Sequence, residues 1–302
     1  MNLDQQEFDL LVYIEDHQNE KITQAQLGKF FMISIGTVNK KLNRLKELAY
    51  IKKEIQGGYT VTDAGYGYLE PYRVKRAVLI AAGFGSRMMP ITLNTPKPLV
   101  MVKHKRIIET VLDALVEKGI EDITIVRGYL GEQFDFLKEK YPTIKFYTND
   151  KYNVSNNITS AMLVKHLYKG AYVMDADLYL QNRDLIRKYE YHCNYLGVHV
   201  DKTDDWRLIV KNKRVTGMKI GGEDCYQMIG LSYWTPEAGT YFEKDIVDVY
   251  EQSGGKECYW DDVVLGEKNK HYDIRVRPCR FEDILEIDTF EELKAIDPVY
   301  AL

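Results

Sequence analysis

A glycine loop, a lysine held between prolines and a strand ending in two acids are the residues here whose types and spacing could do chemistry together. The loop is Gly83-Phe84-Gly85-Ser86-Arg87-Met88-Met89-Pro90, directly after the apolar run Ala77 to Ala82. Small residues let backbone N–H groups approach an anion closely, and Arg87 adds a fork of donors, so phosphate is the natural ligand. A dinucleotide fingerprint is not supported, because Met88 stands where its third glycine is required. A Walker A loop is absent too: neither Gly28-Lys29 nor Gly255-Lys256 has the preceding glycine and following Ser or Thr. Lys97 lies between Pro96 and Pro98, which restrict the backbone on both sides and help hold its ammonium in one place. Tyr172-Val173-Met174-Asp175-Ala176-Asp177 is an apolar strand ending in acids, where open α/β sheets put their ligands. Mg²⁺ bridging protein and phosphate oxygens would need a second carboxylate. Asp261, in Tyr259-Trp260-Asp261-Asp262, and Asp288, in Glu286-Ile287-Asp288, are the candidates.

Those residues need a sheet that brings strand ends to one edge. The run from Val74 to Ala82 suits a buried parallel strand, and further strands are expected at 122–127, 144–148, 171–175, 195–200, 207–210, 228–234 and 271–277. Helices are expected between them: Ile107, Ile108, Val111, Leu112, Leu115 and Val116 repeat at helical spacing, with further candidates at Ser155 to Leu167 and Glu237 to Tyr250. Such alternation implies βαβ crossovers and a three-layer, Rossmann-like α/β sandwich. Residues 5 to 70 differ, reading as short amphipathic helices followed by a hairpin. A chain of 302 residues favours two domains, here 1–73 and 74–302.

Composition removes several classes. With 45% hydrophobic and 28% charged residues the chain is globular rather than disordered. No apolar run is long enough to cross a bilayer, and the N-terminus lacks the basic start and apolar stretch of a signal peptide, so no membrane is expected and the location should be cytoplasmic. Cys193, Cys225, Cys258 and Cys279 form no CxxC pair and read as ordinary thiols. A net charge of −4 excludes a chain wholly devoted to nucleic acid while allowing a local basic patch.

Taken together, Leu79 to Pro90 and Thr95-Pro96-Lys97-Pro98-Leu99 resemble the double signature of nucleotidyltransferases that join a nucleoside triphosphate to a sugar or alcohol phosphate. The resemblance implies that Ala82 and Gly83 border base and ribose, that Gly85, Ser86 and Arg87 cradle the triphosphate, and that Lys97 neutralises charge at the α-phosphate. It implies Asp177 rather than Asp175 as the metal ligand, with Asp261 ahead of Asp288 as the second. Arg127-Gly128-Tyr129-Leu130, Tyr147 to Tyr152 and Asn156 to Ser160 are similar to bacterial choline-phosphate cytidylyltransferases, over about residues 74 to 295. By that likeness Gly128 and Asn157 lie beside cytosine and ribose, while Trp206, Tyr259 and Glu286 surround a choline headgroup. A quaternary ammonium has no strong hydrogen bond to donate, so aromatic faces and a carboxylate are what selects it. CTP and phosphocholine are the implied substrates. The alternatives are a sugar 1-phosphate or another amino-alcohol phosphate as acceptor, or a regulator that senses CTP or CDP-choline without turnover. Family members often carry Asn after the metal Asp; Leu178 stands there.

In the N-terminal part, Gln24 to Phe31 reads as a helix, Ser34 as the N-cap of a second with Ile35, Val38, Leu42 and Leu45 on its inner face, and Tyr50 to Ile55 and Tyr59 to Thr62 as a hairpin. This order resembles the winged helix-turn-helix of MarR-like regulators. Residues 34 to 53 hold six Lys/Arg against one Glu, the local excess that phosphate contacts reward. Duplex DNA is the expected partner, through Thr37, Lys40, Asn43 and Arg44, with docking or homodimer formation as the other uses of such a module.

Overall fold

Asp4 opens the first helix, α1 (Gln5–Asp16), through a reciprocal cap: the Glu7 N–H donates to Asp4 Oδ1 and the Asp4 N–H to Glu7 Oε2, each at 2.9 Å. The computed structural model describes residues 2–18, 20–55 and 57–301 and divides into two units, Met1–Arg73 and Val74–Leu302. In the first, Thr23 caps α2 (Gln24–Phe30) and Ser34 caps α3 (Ile35–Glu47), its Oγ accepting the Thr37 N–H at 3.1 Å. The antiparallel hairpin of β1 (Ile51–Lys53) and β2 (Tyr59–Val61) is the wing, and α4 (Asp63–Leu69) follows. Val38, Leu42 and Leu45 are fully buried. Ile35 is not: it is 56% exposed, because it is the first residue of α3 and stands at the edge of the apolar arc that those three define.

The second unit begins with β3 (Arg76–Ala81), the short hairpin of β4 (Met101–Val102) and β5 (Lys105–Arg106), and α5 (Ile107–Glu117). Then come β6 (Asp122–Arg127), α6 (Leu137–Lys140), β7 (Lys145–Thr148), α7 (Ile158–Leu163), β8 (Ala171–Asp175) and β9 (Leu178–Leu180). The chain continues through β10 (Cys193–Lys211), β11 (Arg214–Trp234), α8 (Pro236–Tyr250), α9 (Trp260–Leu265), β12 (Ile274–Cys279), β13 (Ile284–Glu286) and α10 (Phe290–Ile296). Seven strands form one sheet in the order β10-β12-β11-β8-β3-β6-β7, and β8, β3, β6 and β7 run parallel. Among the described residues no helix is long and apolar enough to cross a membrane.

Side chains of β3 alternate between two cores. Ala77, Leu79 and Ala81 pack with Ile108, Val111 and Leu115 of α5 on one face, while Val78 and Ile80 pack with Ala161, Phe242 and Val263 of α7, α8 and α9 on the other. Each fully buried aliphatic side chain is worth roughly 1.5–3 kcal/mol, and a one-residue slip would swap the two faces, so the register is fixed on both sides. That register pairs Ile80 with Asp175 and Ala81 with Arg127. The glycine loop, the turn at Gly128 and the acids after β8 therefore emerge at one edge.

Three expectations need correction. The strands read at 195–200 and 207–210 are one strand, β10, which runs on through Asp201 to Asp205 with register shifts around Thr203 to Leu208. That acidic stretch has no apolar alternation because it lies in an exposed hairpin arm. The helix read from Ser155 to Leu167 is only α7, followed by a 3₁₀ turn at Lys165–Leu167. The strand read at 271–277 lies at Ile274–Cys279, a few residues later.

Candidate active site

The loop after β3 owes its shape to Gly85, at φ 66°, where a Cβ would stand 3.0 Å from Lys97 Cβ and 3.2 Å from Thr92 Cγ2. Thr92 Oγ1 donates to Gly85 O at 2.8 Å and braces the turn. Met88, in the place of a third glycine, is fully buried in a satellite core with Val100, Ile107 and Leu293. The loop is thus pinned on one side by core packing and rests on the stem of Lys97 on the other.

Lys97 is 8% exposed, and Nζ donates to Asp177 Oδ2 at 2.6 Å and to Asp288 Oδ1 at 2.7 Å. Arg87 reaches the same Asp288 oxygen at 2.8 Å. Burial works against the Lys97 charge, but the two carboxylates outweigh it and hold its pKa above the ordinary lysine value. Asp177, Glu286 and Asp288 each offer a carboxylate oxygen within 4.8 Å of the others. Asp177 Oδ1 is buried without a hydrogen-bond partner, a costly arrangement unless a cation completes it. Glu286 and Asp175 are both held well above the usual carboxylate range, first by burial and then by neighbouring carboxylates, Asp177 among them.

One cavity gathers Gly83, Gly85, Ser86, Arg87, Lys97, Asn157, Asp175, Asp177 and Asp288. Ala82 and Gly128 adjoin one another: the Tyr129 N–H donates to Ala82 O at 3.2 Å, and a Cβ on Gly128 would press to 2.8 Å from that oxygen and from Tyr152 Cβ. Phe84 of the loop packs on Tyr129 at 4.2 Å between ring centroids. Trp206 of β10 and Tyr259, just before α9, meet edge to face at 6.3 Å.

Two expected groupings are redrawn. Asp288, not Asp261, stands opposite Asp177, because β13 pairs with β9 and brings Glu286 against Leu178, beside Asp177. Asp261 faces inward from the first turn of α9, 6% exposed, with Oδ1 accepting the Tyr195 hydroxyl at 2.8 Å. Burial raises its pKa to about 7, against the Tyr195 bond. Glu286, expected at a headgroup, joins the carboxylate group. Asp175, a cavity wall, was legible only as an acid at a strand end.

On α3, Lys40 and Asn43 are exposed, together with Gly36, Asn39 and Lys46. Arg44 turns to α1, bonding Glu7 at 3.1 Å and Asn2 O at 3.3 Å, and Lys41 pairs with Asp4 at 2.7 Å. Thr37 is half-buried, its hydroxyl 2.8 Å from that of Ser34. Asn39 and Lys46 were missed by sequence reasoning, although their helical spacing from Asn43 puts them on its face.

Residues 76–210 match the family model described as nucleotidyl transferase. The chain is 36% identical over 231 residues to a 2-aminoethylphosphonate cytidylyltransferase of Lancefieldella rimae, covering 74% of this chain and 92% of the relative. It is 35% identical to a choline-phosphate cytidylyltransferase of Streptococcus pneumoniae, covering 74% of this chain and 97% of the relative. The chain belongs to the nucleotidyltransferase family. A solved structure of the Streptococcus pneumoniae CTP:phosphocholine cytidylyltransferase superposes on this nucleotidyltransferase with a TM-score of 0.70 at 35% identity, covering 75% of this chain and 99% of that one. Residues 1–58 of the nucleotidyltransferase match the model of the MarR family instead.

Proposed function

We propose that the chain transfers CMP from CTP to phosphocholine, releasing CDP-choline and pyrophosphate. The observation that carries this reading is Lys97, held beneath the glycine loop by Asp177 and Asp288. The phosphate of the acceptor attacks the α-phosphorus, one P–O bond forms and the bond to the β-phosphate bridge breaks. The attacking phosphate is already anionic, so no general base is needed. Catalysis is then positioning and charge stabilisation. Backbone N–H groups of Gly85 and Ser86 and the Arg87 fork face the triphosphate, Ala82, Gly83, Gly128 and Asn157 border base and ribose, and Lys97 meets the α-phosphate.

Mg²⁺ fits the all-oxygen group of Asp177, Glu286 and Asp288, and the orphaned Asp177 Oδ1 supports that fit. When bound it would neutralise charge building on the phosphates. Trp206 and Tyr259 supply the aromatic surfaces for a trimethylammonium. The Lancefieldella relative favours 2-aminoethylphosphonate as a second acceptor reading, and so does a cavity rich in carboxylates, which attract a primary ammonium as well. Pyrophosphate release over four nucleoside triphosphates and a panel of phosphocholine, phosphoethanolamine, 2-aminoethylphosphonate and glucose 1-phosphate tests both. We expect CTP with phosphocholine to lead by about tenfold, the worth of one aromatic contact to a quaternary ammonium. A lead for 2-aminoethylphosphonate would move the assignment to that acceptor.

The N-terminal unit is read as a duplex-DNA module whose α3 presents Lys40, Asn43, Asn39 and Lys46. A two-fold operator would require a homodimer. CTP as donor favours a cytoplasmic setting.

A further inference from the structure

Asn157 stands at the start of α7 and lines the cavity of the glycine loop. Its Oδ1 accepts the backbone N–H of Trp260 at 2.9 Å. A backbone N–H can only donate, so the atom facing it must be the amide oxygen, and the NH₂ end is left to donate elsewhere. Among the described residues Nδ2 has no protein partner, and it is not among the buried orphaned atoms.

Trp260 is the first residue of α9, and its N–H is one of those a helix leaves unsatisfied. Asn157 supplies that acceptor from another segment, where the residue before the helix is Tyr259. The neighbouring residue tightens the same seam: the Asn156 N–H donates to Lys256 O at 3.1 Å, and Asn156 Nδ2 to Glu257 O at 3.2 Å. The segment leading to Tyr259 is therefore fastened to the start of α7 by three hydrogen bonds, and the one nearest Tyr259 comes from a side chain that also borders the cavity.

We propose that Asn157 is a positioning residue with two separable duties: Nδ2 donates to an acceptor atom of the bound nucleotide, and Oδ1 holds the start of α9 so that Tyr259 faces the acceptor substrate. The inference rests on the transferase reading above but not on the identity of the acceptor. One amide then serves both substrates, and each end can be altered alone. In Asn157→Asp an oxygen can still accept from Trp260 while the donor is lost. Asn157→Leu, of similar volume, removes both.

Steady-state kinetics on the full chain test this, each substrate varied at saturation of the other, with CTP and whichever acceptor of the panel the unaltered chain uses best. Asn157→Asp should raise KM for CTP at least about tenfold and leave KM for the acceptor within about twofold, the loss of one hydrogen bond to a ligand being worth roughly that factor. Asn157→Leu should raise both KM values by about fivefold or more, with kcat less affected. Thermal melting of both variants separates this from general loss of fold: melting points within a few degrees of the unaltered chain are expected. If Asn157→Leu keeps its acceptor KM, the Oδ1 duty is refuted; if the two variants raise both KM values alike, the separation of duties is refuted. A chain inactive with every acceptor of the panel would overturn the transferase reading and this inference with it, whereas activity with an acceptor other than phosphocholine leaves the inference standing on that acceptor.

Discussion

Asp177 and Asp288 face one ammonium, Lys97, and one rim guanidinium, Arg87, so cations are already drawn to the point where a divalent ion would sit. Lys97→Ala and Asp177→Ala should each cost at least about 100-fold in turnover, near 2.7 kcal/mol of transition-state stabilisation. Asp288→Ala should cost as much, and Asp261→Asn far less, measured by initial rates at saturating substrates; equal losses for Asp288 and Asp261 would restore Asp261 to the ligand set. Asp261 has a pH signature of its own. Its pKa lies near 7 in the fold against about 3.9 in an unfolded chain, so the folded state holds its proton longer. Its contribution falls as pH rises from about 4 to 7. Asp261→Asn, which can still accept from Tyr195, should therefore gain melting temperature relative to the unaltered chain at pH 8, keep only part of that advantage at pH 5 and lose it near pH 4. At this scale the sequence was legible where backbone demands a residue type, as at Gly85 and Gly128. It was less legible for Asp288, whose place beside Asp177 depends on a pairing between β9 and β13 that spacing alone does not reveal.

Strand β3 was readable because it is apolar on both faces, and α5 because its inward positions repeat. The β10 to β11 hairpin was not, since its outer half is exposed and its residues carry neither alternation nor a continuous apolar run. On α3 the boundary at Ser34 followed from capping chemistry, but the outward face did not, because Arg44 is as polar as Lys40 and only tertiary packing turns it to Glu7. Lys40→Ala should lower duplex-DNA affinity and reduce its salt slope by about 1. Arg44→Ala should instead act mainly on the stability of the N-terminal unit, by about 1 kcal/mol or somewhat more, because the exposed guanidinium is the partner of a buried carboxylate, Glu7. Fluorescence anisotropy across a salt series and thermal melting separate the two. DNA affinity lost equally in both variants would put Arg44 back on the reading face.

The whole chain joins two units whose relatives differ. About three quarters of it spans nearly the full length of the cytidylyltransferase relatives, while residues 1–58 match another family model. That division was legible as a change from short helices and a hairpin to alternating strands and helices, though charge gave no sign of it. Removing residues 1–73 should accordingly leave turnover within about threefold while abolishing DNA binding; loss of turnover in a folded, truncated chain would show that the first unit contributes to the chemistry. If the Lys97, Asp177 and Asp288 site moves CMP onto phosphocholine, its products can be followed by their phosphorus signals. Phosphorus NMR of the full chain with CTP, phosphocholine and Mg²⁺ tests that transfer most directly. CDP-choline and pyrophosphate should appear in equal amounts, with turnover lost when Mg²⁺ is chelated and cut at least about 100-fold when Asp288 is replaced by alanine. CTP and phosphocholine left unchanged by the intact protein, or an Asp288→Ala chain that turns over normally, would contradict it.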